Sequence, residues 1–326
     1  MSLRSYLDLV NECDVLHFSS IESLITHLPY YYTLAYNDTA IGCMPGYVVK
    51  AFEQLPSRLR DYLNLKINHS ERKLSLFRDD SSVGWRSSVV NLVCQYWKDH
   101  RKFSVLEGWR SELFPVYGHG DELLWSMERS AIALIGVVSY GIHMTAYVRD
   151  LNSPYGIKFW VPRRSMNKQT FGGMLDNTVA GGMAVNEDPL TCLVREAEEE
   201  AGLQKDLVQE YSKACGTVTY IYLSDSRAGG EAGLVQPECE FIYDLELPKS
   251  VVPVPTDGEV DEFYLWSVEE VQASLKRGEF KPNSALVMLD FFIRHKILTI
   301  ENEPNYEDIK ERIHRDLPFP GPHLKK

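Results

Sequence analysis

Residues 181–203, GGMAVNEDPLTCLVREAEEEAGL, constrain the fold more than any other stretch of the chain. Asp188 suits a helix N-cap, because its carboxylate can accept amide hydrogens that the first turn leaves unpaired. Pro189 suits the first helical position, where a missing N–H costs nothing. Gly202 fits the left-handed residue that ends a helix. The spacing therefore predicts a helix over Pro189 to Ala201, about three and a half turns long at 3.6 residues per turn. With about 100° between successive residues, Leu190, Val194, Ala197 and Ala201 share an apolar stripe. Glu196, Glu199 and Glu200 share another, so one side can pack on a sheet while the other presents carboxylates.

Spacings of three and four residues bring those carboxylates within reach of one another. Taken alone, a Glu-rich face reads as a solvated surface. The functional reading is a cation site: three like charges repel, and hard oxygen ligands favour Mg²⁺ or Mn²⁺, shared with waters and substrate phosphates. A cation there neutralises charge developing on phosphoryl oxygens and acidifies a bound water, and a nearby carboxylate positions or deprotonates the nucleophile.

Composition narrows the partners. A formal charge of −12 over 326 residues argues against a nucleic-acid binder, which needs clustered Lys and Arg. Cys13, Cys43, Cys94, Cys192, Cys215 and Cys239 are scattered without a C-x-x-C pair, as expected for reduced thiols in a cytoplasmic compartment. Asp8, Glu12 and Asp14 interrupt the amino terminus where an export signal needs an apolar core. Ala131 to Val148 is apolar, but its Ser139-Tyr140-Gly141 interruption favours two strands around a turn over a membrane span.

Up to about Trp109 the texture is helical and mixed, with apolar spacing at Leu3 to Val10, Ile21 to Leu28 and Ser87 to Trp97. From about Glu112, strands are expected at Ala131 to Val138, Ile142 to Val148, Ile157 to Pro162, Gly216 to Leu223, Glu240 to Leu247 and Phe263 to Trp266. Further helices are expected at Val268 to Arg277 and Ser284 to His295. Strands mixed with a few helices suggest an α+β or α/β/α layered domain. The expected division is an accessory unit over 1–115 and a catalytic domain over 116–326, the Pro-rich tail from Leu317 being an irregular strap or a loose end.

Gly181, Glu187, Arg195, Glu196, Glu199, Glu200, Gly202 and Leu203 reproduce the signature of the Nudix hydrolases, with the small Ala197 mildly atypical at an aliphatic position. The resemblance implies an α+β fold, a Nudix α/β/α sandwich with an additional mainly helical α/β region before it. It also implies cleavage of a diphosphate linkage, with Glu196, Glu199 and Glu200 as catalytic metal ligands and Glu187 as a further ligand or an orienting group. Arg195 would fix the loop and helix as a structural partner, and Gly181 would let the loop turn against the helix. Members of this fold often recruit another carboxylate from a distant loop. Glu259, in DGEVDEF with Asp261 and Glu262, is the preferred candidate, against the reading of a solvated turn.

Substrate identity must come from outside that signature. Trp160, Arg163, Arg164 and Lys168 form a cationic cluster with an aromatic, suited to terminal phosphates and a heterocycle, or else a basic surface turn. His143 and Cys192 read as packing residues. The strings ERSA (128–131), YGIHMTAYV (140–148), WVPRRS (160–165), LDNTVAGGM (175–183), DGEVDEFYLW (257–266) and WRSEL (109–113) resemble Nudix proteins associated with thiamine diphosphate metabolism, some joined to thiamine pyrophosphokinase. That resemblance implies hydrolysis of damaged oxo- and oxy-forms of thiamine diphosphate to monophosphates. Rivals are an ADP-ribose or dinucleotide hydrolase, an isopentenyl diphosphate isomerase, which would need a suitably placed cysteine, and an inactive binding module.

Overall fold

The computed structural model describes residues 3–16, 20–78 and 80–324, so Lys325 and Lys326 of the tail lie outside them. Helices α1 (Tyr6–Cys13) and α2 (Ile21–His27) open the chain, each capped by a serine, Ser5 and Ser20. A hairpin of β1 (Tyr31–Tyr36) and β2 (Thr39–Pro45) follows. Helices α3 (Gly46–Glu53) and α4 (Ser57–Tyr62) lead to β3 (Lys66–Asn68) and β4 (Lys73–Leu76), completing a sheet of order β2-β1-β4-β3. Helix α5 (Val83–Asp99) packs against β6 (Leu123–Glu128), which pairs with β5 (Leu113–Tyr117). Trp97, Trp125, Phe77 and Leu34 fill the core between them.

Two expectations need correction here. The helical reading of this region misses its four strands, which at three to seven residues are too short for alternation to stand out. The strand expected over Ala131 to Val138 is instead a turn of 3₁₀ helix and α6 (Ile132–Ile135). Glu128 caps the start by accepting from Ser130 N–H, and Gly136 closes the end at φ 60°. Where all but Ala133 of the run is buried, polarity carries no period to separate a short helix from a strand.

The second sheet supports the predicted helix. Strands β7 (Ser139–Arg149), β8 (Ile157–Arg164), β9 (Val179–Gly182), β10 (Lys213–Leu223), β11 (Val235–Glu246) and β12 (Val260–Ser267) assemble in the order β10-β11-β7-β8-β12. β11 runs parallel to β7, and β9 adds antiparallel to β7 at Gly141 to Met144, beyond the short β7–β8 pairing at Tyr147 to Arg149. Helix α7 (Pro189–Ala201), followed by α8 (Lys205–Tyr211), covers one face through Leu193, Ala197, Ile142 and Met144. On the other face lie α9 (Val268–Arg277), α10 (Pro282–Arg294) and α11 (Tyr306–Arg312), packed through Phe291, Phe292, Phe159 and Tyr147. The result is the expected α/β/α sandwich.

Both ends of the chain return to this sandwich. Tyr6, Leu9 and Val10 of α1 join the α10 face, and the fully buried Asp14 accepts from Ile221 N–H (3.0 Å) and Arg315 (3.0 Å). The tail is an ordered strap as far as residue 324: Leu317 and Phe319 are buried, and Tyr140 Oη lies 2.8 Å from His323 Nδ1. Among the described residues, no helix is long and apolar enough to cross a membrane. The six cysteines are unpaired.

Candidate active site

Helix α7 starts and stops where its caps demand. Asp188 Oδ1 accepts from the backbone N–H of Leu190 and Thr191, both at 3.1 Å, and Gly202 ends the helix at φ 60°. Arg195 ties this helix to the loop before it. Its Nε and Nη2 fork onto the two oxygens of Glu187 at 2.9 and 3.0 Å, while Nη1 reaches Glu196 at 2.7 Å and Glu199 at 3.2 Å. Glu187 also accepts from Ala184 N–H (3.1 Å), so it orients the loop.

The three glutamates occupy different environments. Glu199 is half exposed, whereas Glu196 and Glu200 are buried. Glu200 Oε2 accepts from Ala180 N–H at 3.0 Å, and burial together with the charge of Glu196 pushes its carboxyl up to about 8. Burial also raises Glu196, against the attraction of Arg195. Gly181 lies on β9, outside the left-handed region. It is small because a Cβ there would collide with the Glu196 carboxyl group. Among the described residues no three side chains already stand in metal geometry, and Arg195 bridges two of these acids. The donor set nonetheless fits a hard divalent cation: the acids are all oxygen donors, and two are destabilised as anions by burial.

A cavity of about 710 Å³ opens beside this helix, with Glu196, Glu199 and Arg195 in its wall. Lys168 enters the wall and pairs with Glu259, and Arg110 lies 3.6 Å from the other Glu259 oxygen. Burial and the charge of Arg164 bring the Lys168 ammonium down to about 8. Arg164 is itself committed to structure, with Nη1 on Asp176 at 2.7 Å and its other nitrogens on the Phe171 and Thr170 carbonyls.

The expected binding cluster is thereby divided. Arg164 and Lys168 face the cavity, but Trp160 and Arg163 do not line it. Trp160 packs towards the α7-side core, and Arg163 turns to the Tyr264 hydroxyl (2.9 Å) and the Gly173 carbonyl (2.8 Å). Alternation along β8 sets Arg163 on the face opposite to Trp160 and Arg164, and Lys168 lies past the end of the strand, so the four do not form one face. Glu200 sits behind the wall against β9. Asp257 lines the cavity beside Glu259, while Asp261 and Glu262 do not. Cys192 is buried with its thiol pushed up, first by burial, and it points at the Gly182 carbonyl (3.5 Å), which suits packing.

The model for the NUDIX domain matches residues 142–289, the span that builds this sheet, helix and cavity. The chain belongs to the Nudix hydrolase family. A domain of unknown function (DUF4743) matches residues 31–139. An uncharacterized protein of Saccharomyces cerevisiae is 35% identical over 294 residues, covering 89% of this chain and 84% of the yeast protein. Nudix hydrolase 20 of Arabidopsis thaliana, a chloroplastic protein, is 36% identical over 213 residues, covering 64% of this chain and 53% of the plant protein. The chain thus spans about half the length of that plant relative. A crystal structure from Deinococcus radiodurans aligns with a TM-score of 0.39 and 19% identity, over 54% of this chain and 98% of the other.

The Nudix cavity also contains residues that sequence reasoning passed over. Arg129, in ERSA, packs over the Phe114 ring at 5.0 Å, pairs with Glu112 at 2.9 Å and lowers the Glu196 carboxyl by its charge. Arg110, in WRSEL, has its backbone held by Glu128, which accepts from the N–H groups of residues 110 and 111. Both strings are visible in the sequence, but they are far from the Nudix helix along the chain. Only folding brings them to it.

Proposed function

We propose that this Nudix hydrolase cleaves the diphosphate of thiamine-type metabolites, chiefly oxo- and oxythiamine diphosphate, in a Mg²⁺-dependent reaction, clearing damaged cofactor forms in a reducing, cytoplasm-type compartment. Water adds to one phosphorus, the bridging P–O bond breaks, and the bridging oxygen leaves on the other phosphate, giving the monophosphate and inorganic phosphate. The observation that carries the reaction class is that the acid face of α7 and the cations Lys168, Arg110 and Arg129 open on one cavity.

Glu196, Glu199 and Glu200 would hold the ion, and a bound Mg²⁺ or Mn²⁺ supplies charge neutralisation and a more acidic water. Arg110 and Arg129, which both precede the Nudix-matched span 142–289, meet the phosphoryl oxygens. Lys168 and Arg110 hold Glu259 at the wall as a carboxylate, where it receives the proton of the attacking water. The thiamine-type assignment rests on the sequence strings around the cavity, WVPRRS, LDNTVAGGM and DGEVDEFYLW.

The test is Mg²⁺-dependent cleavage, read as inorganic phosphate from thiamine diphosphate, its oxo- and oxy-analogues and isopentenyl diphosphate, and as the two monophosphate products from ADP-ribose and NADH. Preference for the thiamine analogues supports the reading. Preference for ADP-ribose overturns the substrate and spares the reaction class. Binding without turnover overturns the reaction.

A further inference from the structure

The cavity continues well past the acid helix. Its floor crosses the sheet from Gly181 and Gly182 on β9, over Gly141 and His143 on β7, to Glu238 and Glu240 on β11 and then Tyr220 and Tyr222 on β10. Gly141 pairs with Gly182 on one side and Glu240 on the other. Adjacent strands lie about 4.8 Å apart, so the Glu240 backbone is about 10 Å from that of Gly182. A Cβ on Gly141 would collide with the Glu240 carboxylate, so the glycine keeps that space open.

This far end is built from buried polar groups that the diphosphate chemistry does not use. Tyr220 Oη bonds to Glu238 and, at 2.9 Å, to Glu240. Asn283, at the start of α10, donates to Glu240 at 3.3 Å and meets His143 Nε2 at 3.3 Å. His143 Nδ1 faces Asn177 Oδ1 at 2.7 Å. Glu240 is thus well supplied with partners. Burial opposes its charge, but His143 and Lys281 outweigh burial and hold its carboxyl low. Glu238 has Lys281 but not His143 to offset burial, and burial and the charge of Glu240 push its carboxyl up to about 7.

An independent observation points the same way. Tyr222 is 6% exposed and lines this cavity, yet its hydroxyl has no hydrogen-bond partner. Burial raises this phenol first and the neighbouring Asp225 second, and the Asp225 carboxylate is held by Arg227. Buried hydroxyls are rarely left unpaired, because losing water without a replacement costs free energy. The Phe171 ring, 6.3 Å from that of Tyr222, adds apolar wall.

We propose that Glu238 and the Tyr222 hydroxyl form the recognition subsite for the organic half of the substrate, an aromatic heterocycle bearing amino N–H donors or a positive charge. The glutamate accepts from the donors or faces the cation, the tyrosine completes a hydrogen bond, and Phe171 and Tyr222 offer ring surface. This rests on the diphosphatase reading only for what occupies the other end. The separation of about 10 Å suits a short diphosphate ester, with the phosphates at the α7 end and the ring at the β10–β11 end.

The experiment compares the unchanged chain with Glu238→Gln and Tyr222→Phe on two diphosphates, thiamine diphosphate, which has an aminated and cationic organic half, and isopentenyl diphosphate, which has neither. The ratio of their kcat/KM values is expected to fall about tenfold in Glu238→Gln and about threefold in Tyr222→Phe, the thiamine KM carrying the change. Equal losses on both substrates, or no loss, overturn the subsite. If Glu238→Gln does not fold, as judged by its thermal transition, Tyr222→Phe decides. If neither diphosphate is hydrolysed, the diphosphatase reading fails, and calorimetry with phosphate-free thiamine decides the subsite. Binding weakened by either substitution supports it, and absent or unaltered binding overturns it.

Discussion

Two groups of glutamates stand at one cavity, Glu200 of the first group behind its wall, and they solve the problem of buried negative charge differently. Glu196, Glu199 and Glu200 stand on a helix at spacings of three and four, with one arginine bridging two of them and Glu200 left with a raised carboxyl. Glu238 and Glu240 stand on a strand at a spacing of two, with Tyr220, Asn283 and His143 around them. Burial penalises charge at both places, so what differs is the compensation. Cationic compensation at the helix suits a metal and phosphates. At the strand, hydrogen bonds from Tyr220 and Asn283 join the charges of His143 and Lys281, a mixed environment that suits recognition of an organic group.

The largest effect should come from neutralising the helix group. Glu199→Gln or Glu200→Gln is expected to lower Mg²⁺-dependent turnover by about a hundredfold or more while the fold persists. Phosphate release at a near-normal rate would remove those acids from the metal set. Gly181→Ala is the next strongest, because its Cβ must displace the Glu196 carboxyl group. A fall of about tenfold in kcat with little change in the thermal midpoint is expected. Unaltered kcat would show that the position of Glu196 is not critical.

Arg195→Ala sharpens the contrast at the level of stability. It strips the partly buried Glu187 and the buried Glu196 of their shared cation. A loss of about 1–3 kcal/mol is expected in urea unfolding without metal, discounted for the partial exposure of the arginine, with partial recovery on adding Mg²⁺. No recovery would argue against the cation site.

The smallest effect concerns Asp176, a buried acid whose charge is already matched. Burial alone would raise it, but Lys281, Arg164 and His143 hold it well below its ordinary value of 3.8. With the folded pKa below the unfolded one, its contribution is fully present above 3.8 and is lost as pH falls towards the folded value. Asp176→Asn should therefore flatten the loss of stability between about pH 5 and about pH 3, measured by urea midpoints. An unchanged acid slope would mean that other groups carry it.

Much of the architecture could be read in advance where a local rule acts alone. Helix α7 has the bounds its caps specify, Pro189 to Ala201, and α9 has those expected from its pattern, Val268 to Arg277. The run at Ala131 could not be assigned by pattern, since Gly136 and the Glu128 cap decide it through backbone geometry. The cluster Trp160, Arg163, Arg164 and Lys168 was sound as composition and incomplete as a site, because alternation along β8 sends Arg163 to Tyr264 and the bends after it bring Lys168 to Glu259.

The carboxylate helix is where sequence alone was sufficient. Caps, apolar stripe and acid face all act within one turn or two, so spacing along the chain equals spacing in space, and the family follows from that segment. The rest of the cavity was decided only by the tertiary structure. Arg110 and Arg129 arrive from the preceding region, Glu259 from a loop, and Glu238, Glu240, Tyr220 and Tyr222 from two strands across the sheet. Their proximity depends on strand order and on which face each side chain takes, relations that are set by packing between segments far apart in sequence.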